Sequence, residues 1–314
     1  MEYVYIILRY GVEIMIDIYN KSIENNNITY SIDKIRLKCY MTFDVYNDLD
    51  FFIRAFYSDK IKRFWISDKK QSFKYNYDFE VAEGKCFYFG FFHNSEQKMA
   101  ERLEPKYNFT IEFNPNKLKD NSLIMHILNL SGAWYIVRYD LAMDIKINIL
   151  DLIFDKSGKR KIMMFSNGYD DRTYTIGGSG EKHIKIYNKK KESDLHITGD
   201  LTRVEITREC NDFFVPDIKL FNYDAYFPEL YLNQYVYSLS DYVEKKETDK
   251  TLYAMLFAVQ NGYPLNDLSR RYKEKIKNLL QGGYKIRFDT NSANQALKQT
   301  IYFYFIKNKK LAFR

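Results

Sequence analysis

The residue whose surroundings suit it to chemistry is Tyr187. It stands in the stretch Thr173–Lys191, TYTIGGSGEKHIKIYNKKK. Read as a strand, this places His183, Lys185, Tyr187 and Lys189 on one side and Ile184 and Ile186 on the other. The isoleucines form the buried side. An aromatic residue that only needed burial would sit with them, yet Tyr187 shares the polar side with lysines. A phenol among cations is suited to attack a phosphodiester, because the cations favour phenolate and offset charge on the attacked phosphate. Taken alone, the strand reads as a tyrosine beside solvated lysines, and the neighbouring strands shift that balance.

Four carboxylates fall on the polar sides of those strands. Glu112 lies in Tyr107–Lys117, Asp140 and Asp144 in Tyr135–Ile145, and Glu205 in Leu201–Thr207. Carboxylates without histidine pairs suit a hard cation, Mg²⁺ or Mn²⁺, rather than zinc. His93, His126, His183 and His196 are dispersed and make no HxH or HExxH spacing. A metal held there would polarise a scissile phosphate. Tyr187 would attack the phosphorus in line, the 3′-hydroxyl would leave, and the 5′-phosphate would stay on the tyrosine. That linkage conserves the bond energy, so rejoining requires no nucleotide hydrolysis. GGSGEK at Gly177–Lys182 lacks the GxxxxGK[ST] spacing of a P-loop and reads as a turn.

The elements that must position these residues follow from periodicity. Asp33–Phe43 alternates, with Ile35, Leu37, Cys39 and Met41 against Arg36, Lys38, Tyr40 and Thr42, which predicts a strand with a basic face. Residues 47–66 read as a helix and 73–93 as a strand pair broken near Glu83–Gly84. The strand at Tyr107–Lys117 ends at Pro115. A short helix through Leu123, Ile124, Ile127 and Leu128 joins it to Tyr135–Ile145, in a βαβ-like or split βαβ unit. A helix is expected around Ile147–Phe154 and a strand near Lys161–Phe165. After residue 210 the pattern turns helical: Ala225–Val243, Thr251–Asn261, Leu265–Leu280 and Ala293–Lys307. The expected fold is α+β: a central, mostly antiparallel sheet with one open polar catalytic face, helices on the other face, and a helical C-terminal lobe. The expected organisation is an extension at 1–28, a nicking and joining domain at 29–212, and a helical region at 213–314.

The chain has 314 residues with a formal net charge of +7, a mild bias toward a polyanionic partner. Asn, Ile, Lys, Tyr and Phe are all abundant, a bias that an AT-rich coding sequence produces by itself. Three scattered cysteines make neither a zinc pair nor a disulfide framework and point to a reducing compartment. The apolar N-terminus carries Glu2, Arg9, Glu13 and Asp17, too much charge for a signal or a membrane span. A cytoplasmic location without membrane association is expected.

Four blocks, taken in order and spacing, resemble the Rep_trans family of rolling-circle plasmid replication initiator proteins from Gram-positive bacteria. They are IEFNPNK at Ile111–Lys117, RYDLAMD at Arg138–Asp144, IKIYNKKKE at Ile184–Glu192 and TRVEI at Thr202–Ile206. SRRYKEKIKNLL at Ser269–Leu280 is a weaker fifth, and Thr202 stands where the family often has Trp. The resemblance implies a nicking and joining enzyme with Tyr187 as nucleophile, aided by Lys185 and Lys189. It implies that Asp140 and Glu205, then Glu112 and Asp144, ligate Mg²⁺ or Mn²⁺. It also implies DNA contacts from Arg138, Arg203, Arg270, Arg271, Lys273 and Lys277 at a hairpin or cruciform double-strand origin, a homodimer, and a host helicase as partner. Two alternatives stay open: a conjugative relaxase with the same chemistry, and a non-catalytic origin-binding protein in which Tyr187 is structural.

Overall fold

The structure is a computed structural model. It describes residues 28–307 except 70–72, 83–84, 94–107, 119–121, 132, 150–151, 155–161, 167–171, 178–182, 193–198, 223–226, 228–229, 233–249, 261–262, 264, 282–284 and 287. Residues 1–27 of the expected extension, most of the expected helix Ala225–Val243 and His196 lie outside the described residues.

The described strands, in chain order, are β1 Ile28–Cys39, β2 Ile61–Ile66, β3 Phe73–Ala82, β4 Lys85–His93, β5 Phe109–Phe113, β6 Trp134–Ile145, β7 Leu152–Phe154, β8 Ile162–Ser166, β9 Arg172–Ile176, β10 Ile184–Asn188, β11 Thr202–Phe214, β12 Leu230–Leu232 and β13 Lys285–Ile286. The described α-helices are α1 Phe43–Phe56, α2 Ser122–Asn129, α3 Lys189–Glu192, α4 Lys250–Gln260, α5 Arg270–Gln281 and α6 Thr290–Ile301. The architecture is α+β with a large sheet, and the neighbouring strands with a described register run antiparallel. Among the described residues no helix is long and apolar enough to cross a membrane.

The chain divides into two compact units. One comprises Met1–Tyr30, Ala142–Ile206 and Asp224–Ser292; the other comprises Ser31–Leu141, Thr207–Tyr223 and Ala293–Arg314. We call the first the tyrosine unit and the second the aromatic unit.

In the aromatic unit the strand order is β2-β3-β4-β5-β1-β6. Strand β1 lies between β5 and β6, which makes the β5–α2–β6 connection the split form of the βαβ unit. One face of the sheet is a stack of rings. Tyr77 lies 4.6 Å from Phe89, and Phe79 lies 4.8 Å from Phe87. Helix α1 begins at a Thr42 cap, whose hydroxyl accepts from the Val45 N–H, and buries Tyr46, Leu49 and Ile53. Tyr46 stacks on Phe91 at 4.1 Å. Beyond the rings, Ile35, Leu37 and Cys39 of β1 are fully buried. Burial pushes the Cys39 thiol up to about 12, so it is inert at neutral pH.

The opposite face carries Asn76, Tyr88, Thr110 and Glu112, as the alternation predicts. It is not open throughout: Asn76 and Thr110 are each 2% exposed. Tyr88 lies across Gly90 and donates to the Asn76 Oδ1 at 2.8 Å. A Cβ at position 90 would meet the Tyr88 hydroxyl at 2.5 Å and Phe73 Cγ at 2.6 Å. Gly90→Ala is therefore expected to cost about 1–3 kcal/mol, measured as a lowered urea midpoint with unchanged slope.

Three expected helices are corrected. The helix over 47–66 ends at Phe56, where the Tyr57 N–H closes on the Ile53 carbonyl at 2.8 Å. Residues 61–66 pair with β3 instead, and Phe64 packs 4.6 Å from Tyr77. A free sheet edge offered those residues a ladder that outweighed their helical spacing. The helix around Ile147–Phe154 is a turn followed by β7, which pairs with β12. Within the expected helix Ala225–Val243, residues 230–232 form β12, between β7 and β13. Strand β11 also continues to Phe214, past the point where helical signals begin.

In the tyrosine unit the order is β6-β11-β10-β9-β8. Ile184, Ile186, Val204, Ile206, Tyr174 and Ile176 form its buried face. Helices α4 and α5 pack in the same unit through Val259, Leu265, Leu268 and Ile276.

Candidate active site around Tyr187

Tyr187 is fixed by its two neighbouring strands. The register sets it opposite Arg203 of β11 and Thr173 of β9. Lys185 stands opposite Glu205 and Thr175. All these residues share one face, because Ile184 and Ile186 take the other. The β9–β10 connection starts at Gly177 with φ 94°, a conformation that glycine adopts without a Cβ penalty.

Tyr187 is 7% exposed and its hydroxyl donates to Glu205 Oε2 at 3.2 Å. Lys189 begins the short helix α3, while its N–H still bonds the Leu201 carbonyl at 2.9 Å. Its ammonium still lies 5.7 Å from the centroid of the Tyr187 ring. Lys189 is buried and Lys185 is exposed. The Thr202 hydroxyl donates to the Ile147 carbonyl at 2.9 Å and ties the start of β11 to the chain leaving β6. A phenol bonded to a carboxylate, with cations around it, can lose its proton to that carboxylate and act as a nucleophile.

The other three carboxylates are held by cations. Arg203 Nε donates to Asp144 Oδ1 at 2.6 Å, and its Nη2 donates to Oδ2 at 2.7 Å. In the aromatic unit, Arg138 reaches Asp140 on its own strand at 3.2 Å, and the Asp140 side chain is 3% exposed. Glu112 is met by Arg36 at 2.6 Å and by Lys34 at 3.3 Å. Among the described residues no three His, Cys, Asp or Glu side chains gather as a metal would require. The four carboxylates therefore do not form a preassembled metal cluster among the described residues, and no step below runs through a metal.

Glu112 has a consequence for stability. Burial alone would raise its carboxyl, but Arg36 and Lys34 outweigh that and hold it below the ordinary glutamate range. A lowered folded-state value adds stability above the unfolded value and loses it as pH falls through the folded one. Thermal midpoints of the wild type and Glu112→Gln should differ most at neutral pH and converge as pH falls below about 4.5. Both cations are partly exposed, so added salt should narrow the gap.

The proposed DNA-contacting residues are dispersed. Arg203 belongs to the tyrosine site and Arg138 to the pair with Asp140. Arg270 and Arg271 are exposed on α5, and Lys273 donates to Asn266 Oδ1. Lys277 lies on the same helix, with its side chain outside the described residues. His183 is half-buried on the tyrosine face. His126 stacks on Phe52 at 4.2 Å. Sequence reasoning singled out each residue around Tyr187 except Thr173 and Thr175. Their signal was the alternation of Arg172–Ile176 itself, which puts both threonines on the side opposite Tyr174. It also paired Asp144 with a metal rather than with Arg203, since strand order is invisible to periodicity.

No family model matches the chain. Curated relatives do. One replication initiation protein from Staphylococcus aureus is 28% identical over 186 residues, covering 55% of this chain and 54% of the relative. Another from the same organism is 33% identical over 109 residues, 32% of this chain and 35% of the relative. The chain thus spans about half or less of the length of these relatives. A solved structure of a rolling circle replication initiator protein from Geobacillus stearothermophilus aligns at a TM-score of 0.33 and 13% identity, over 84% of this chain and 99% of that one. A likeness that slight is too little to argue from. In sequence this chain is similar to replication initiation proteins, which supports the resemblance carried by its four motif blocks.

Proposed function

We propose that the protein is a rolling-circle replication initiator that nicks and rejoins one strand of origin DNA through Tyr187. The observation that carries this is the hydrogen bond from the Tyr187 hydroxyl to Glu205, on a face that also holds Arg203 and Lys189. Glu205 takes the phenolic proton. The Tyr187 oxygen bonds to phosphorus, the bond from phosphorus to the 3′-oxygen breaks, and that oxygen gains a proton from solvent water. The product is a 5′-phosphotyrosine and a free 3′-hydroxyl. Rejoining reverses each step, with Glu205 returning the proton. Arg203 and Lys189 offset the charge that builds on the phosphate.

The substrate is the plasmid double-strand origin in a hairpin or cruciform, with a homodimer and a host helicase as the working assembly. Mg²⁺ or Mn²⁺ is kept as the cofactor on the strength of the motif resemblance. The test is supercoiled DNA bearing the candidate origin, incubated with protein and Mg²⁺ or Mn²⁺, with and without EDTA. Relaxation with a protein joined to a 5′-phosphate is the expected result. Binding to the cognate origin without any adduct would favour the non-catalytic origin-binding protein. Nicking that survives EDTA would remove the metal from the proposal.

A further inference from the structure

We infer that Asp144 is a positioning residue, which holds the guanidinium of Arg203 beside Tyr187, and is not a metal ligand. The inference rests on the proposed chemistry at Tyr187 and adds the part played by Asp144. Its basis is a two-point contact: both Asp144 oxygens accept from Arg203, at 2.6 and 2.7 Å. The side chains are 9% and 16% exposed for Arg203 and Asp144, so the pair is largely removed from water. Drawing Asp144 away toward a cation would strand the Arg203 charge in that setting, which is costly. A fork-on-fork contact also fixes the plane of the guanidinium, where a single contact would leave it free to rotate.

The register supplies the second half. Arg203 is the residue directly opposite Tyr187 on the adjacent strand, and both point to the same face. The carboxylate bonded to the nucleophile is Glu205, so proton transfer does not call on Asp144. What remains for Asp144 is orientation. A guanidinium held in place before the reaction stabilises developing phosphate charge without reorganising.

The experiment is a double-mutant cycle on the full chain. Single-turnover formation of the covalent adduct on a hairpin oligonucleotide is measured for wild type, Asp144→Asn, Arg203→Ala and the double variant. DNA and Mn²⁺ concentrations are varied, and bound Mn²⁺ is read directly by electron paramagnetic resonance. Asp144→Asn is expected to lower the maximal adduct rate about 10–100-fold. Half-saturating DNA, half-saturating Mn²⁺ and bound Mn²⁺ should be unchanged, and Asp144→Asn should add nothing once Arg203 is Ala. A purely structural pair would instead move the unfolding midpoint and leave the rate of the folded fraction intact, which overturns the inference. A shift in Mn²⁺ dependence, loss of bound Mn²⁺, or additive effects in the cycle would also overturn it. Should Asp144→Asn fail to fold, Arg203→Lys keeps the charge and loses the fork. A wild-type rate in that variant overturns the inference, and a similar fall at unchanged Mn²⁺ binding supports it. Adduct that persists in Tyr187→Phe removes the underlying reading, which is a separate outcome from any of these.

Discussion

Tyr187→Phe should form no covalent adduct with origin DNA, and its nicking should fall by at least about 10³-fold. The substitution removes one oxygen, the atom proposed to bond to phosphorus. The ring stays, and with it the contact under the Lys189 ammonium at 5.7 Å and the packing of a residue only 7% exposed. The lost hydrogen bond to Glu205 is expected to cost about 1 kcal/mol of stability. Affinity for the origin should change little, because the cations proposed to meet the phosphates are untouched. The check is a denaturing gel of protein with end-labelled hairpin DNA, paired with a binding titration of the same variant. Retained binding with no adduct identifies the nucleophile. An adduct at wild-type yield means that another residue attacks, and the site described here is structural.

The second large effect is on stability and lies away from the tyrosine. Trp134 is 1% exposed at the start of β6. Its indole N–H donates to the Leu128 carbonyl at 2.9 Å, near the end of α2. Its ring lies edge-on to Phe109 at 6.0 Å and to Phe305 at 6.4 Å. One side chain thus joins a strand, a helix end and the C-terminal turn of the aromatic unit. Trp134→Ala should cost about 3–5 kcal/mol through the cavity and the lost contacts. A domain's whole stability is about 5–15 kcal/mol, so this variant should melt far below the wild type or recover poorly from the cell. Trp134→Phe keeps a ring and loses only the donor and some volume, so about 1–2 kcal/mol is expected. Urea unfolding of both variants decides. Equal midpoints for Ala and Phe would mean that the ring contributes little and the hydrogen bond is the main term.

Much of the strand pattern was written in side-chain alternation. Ile35, Leu37 and Cys39 are buried where period two placed them, and so are Ile184, Ile186, Val204 and Ile206. Tyr187, Arg203 and Glu205 share a face because parity along two strands demands it. The grouping of a phenol with carboxylates and cations was legible for the same reason. It rests on residue types and on local spacing, both of which a chain carries without its fold.

What the sequence could not determine was partnership. Residues 61–66, 152–154 and 230–232 are short segments whose spacing suits a helix as well as a strand. They became strands because β3, β7 and β12 offered edges to pair with. The carboxylates are the same case. Parity placed Asp144 on the polar face, but only the tertiary structure placed the Arg203 fork against it. Charge on one strand is neutralised by whichever strand lies beside it, and strand order is a long-range property. Types, faces and candidate nucleophile were therefore set by the amino-acid sequence alone. Which carboxylate meets the phenol and which meet cations was decided by the fold.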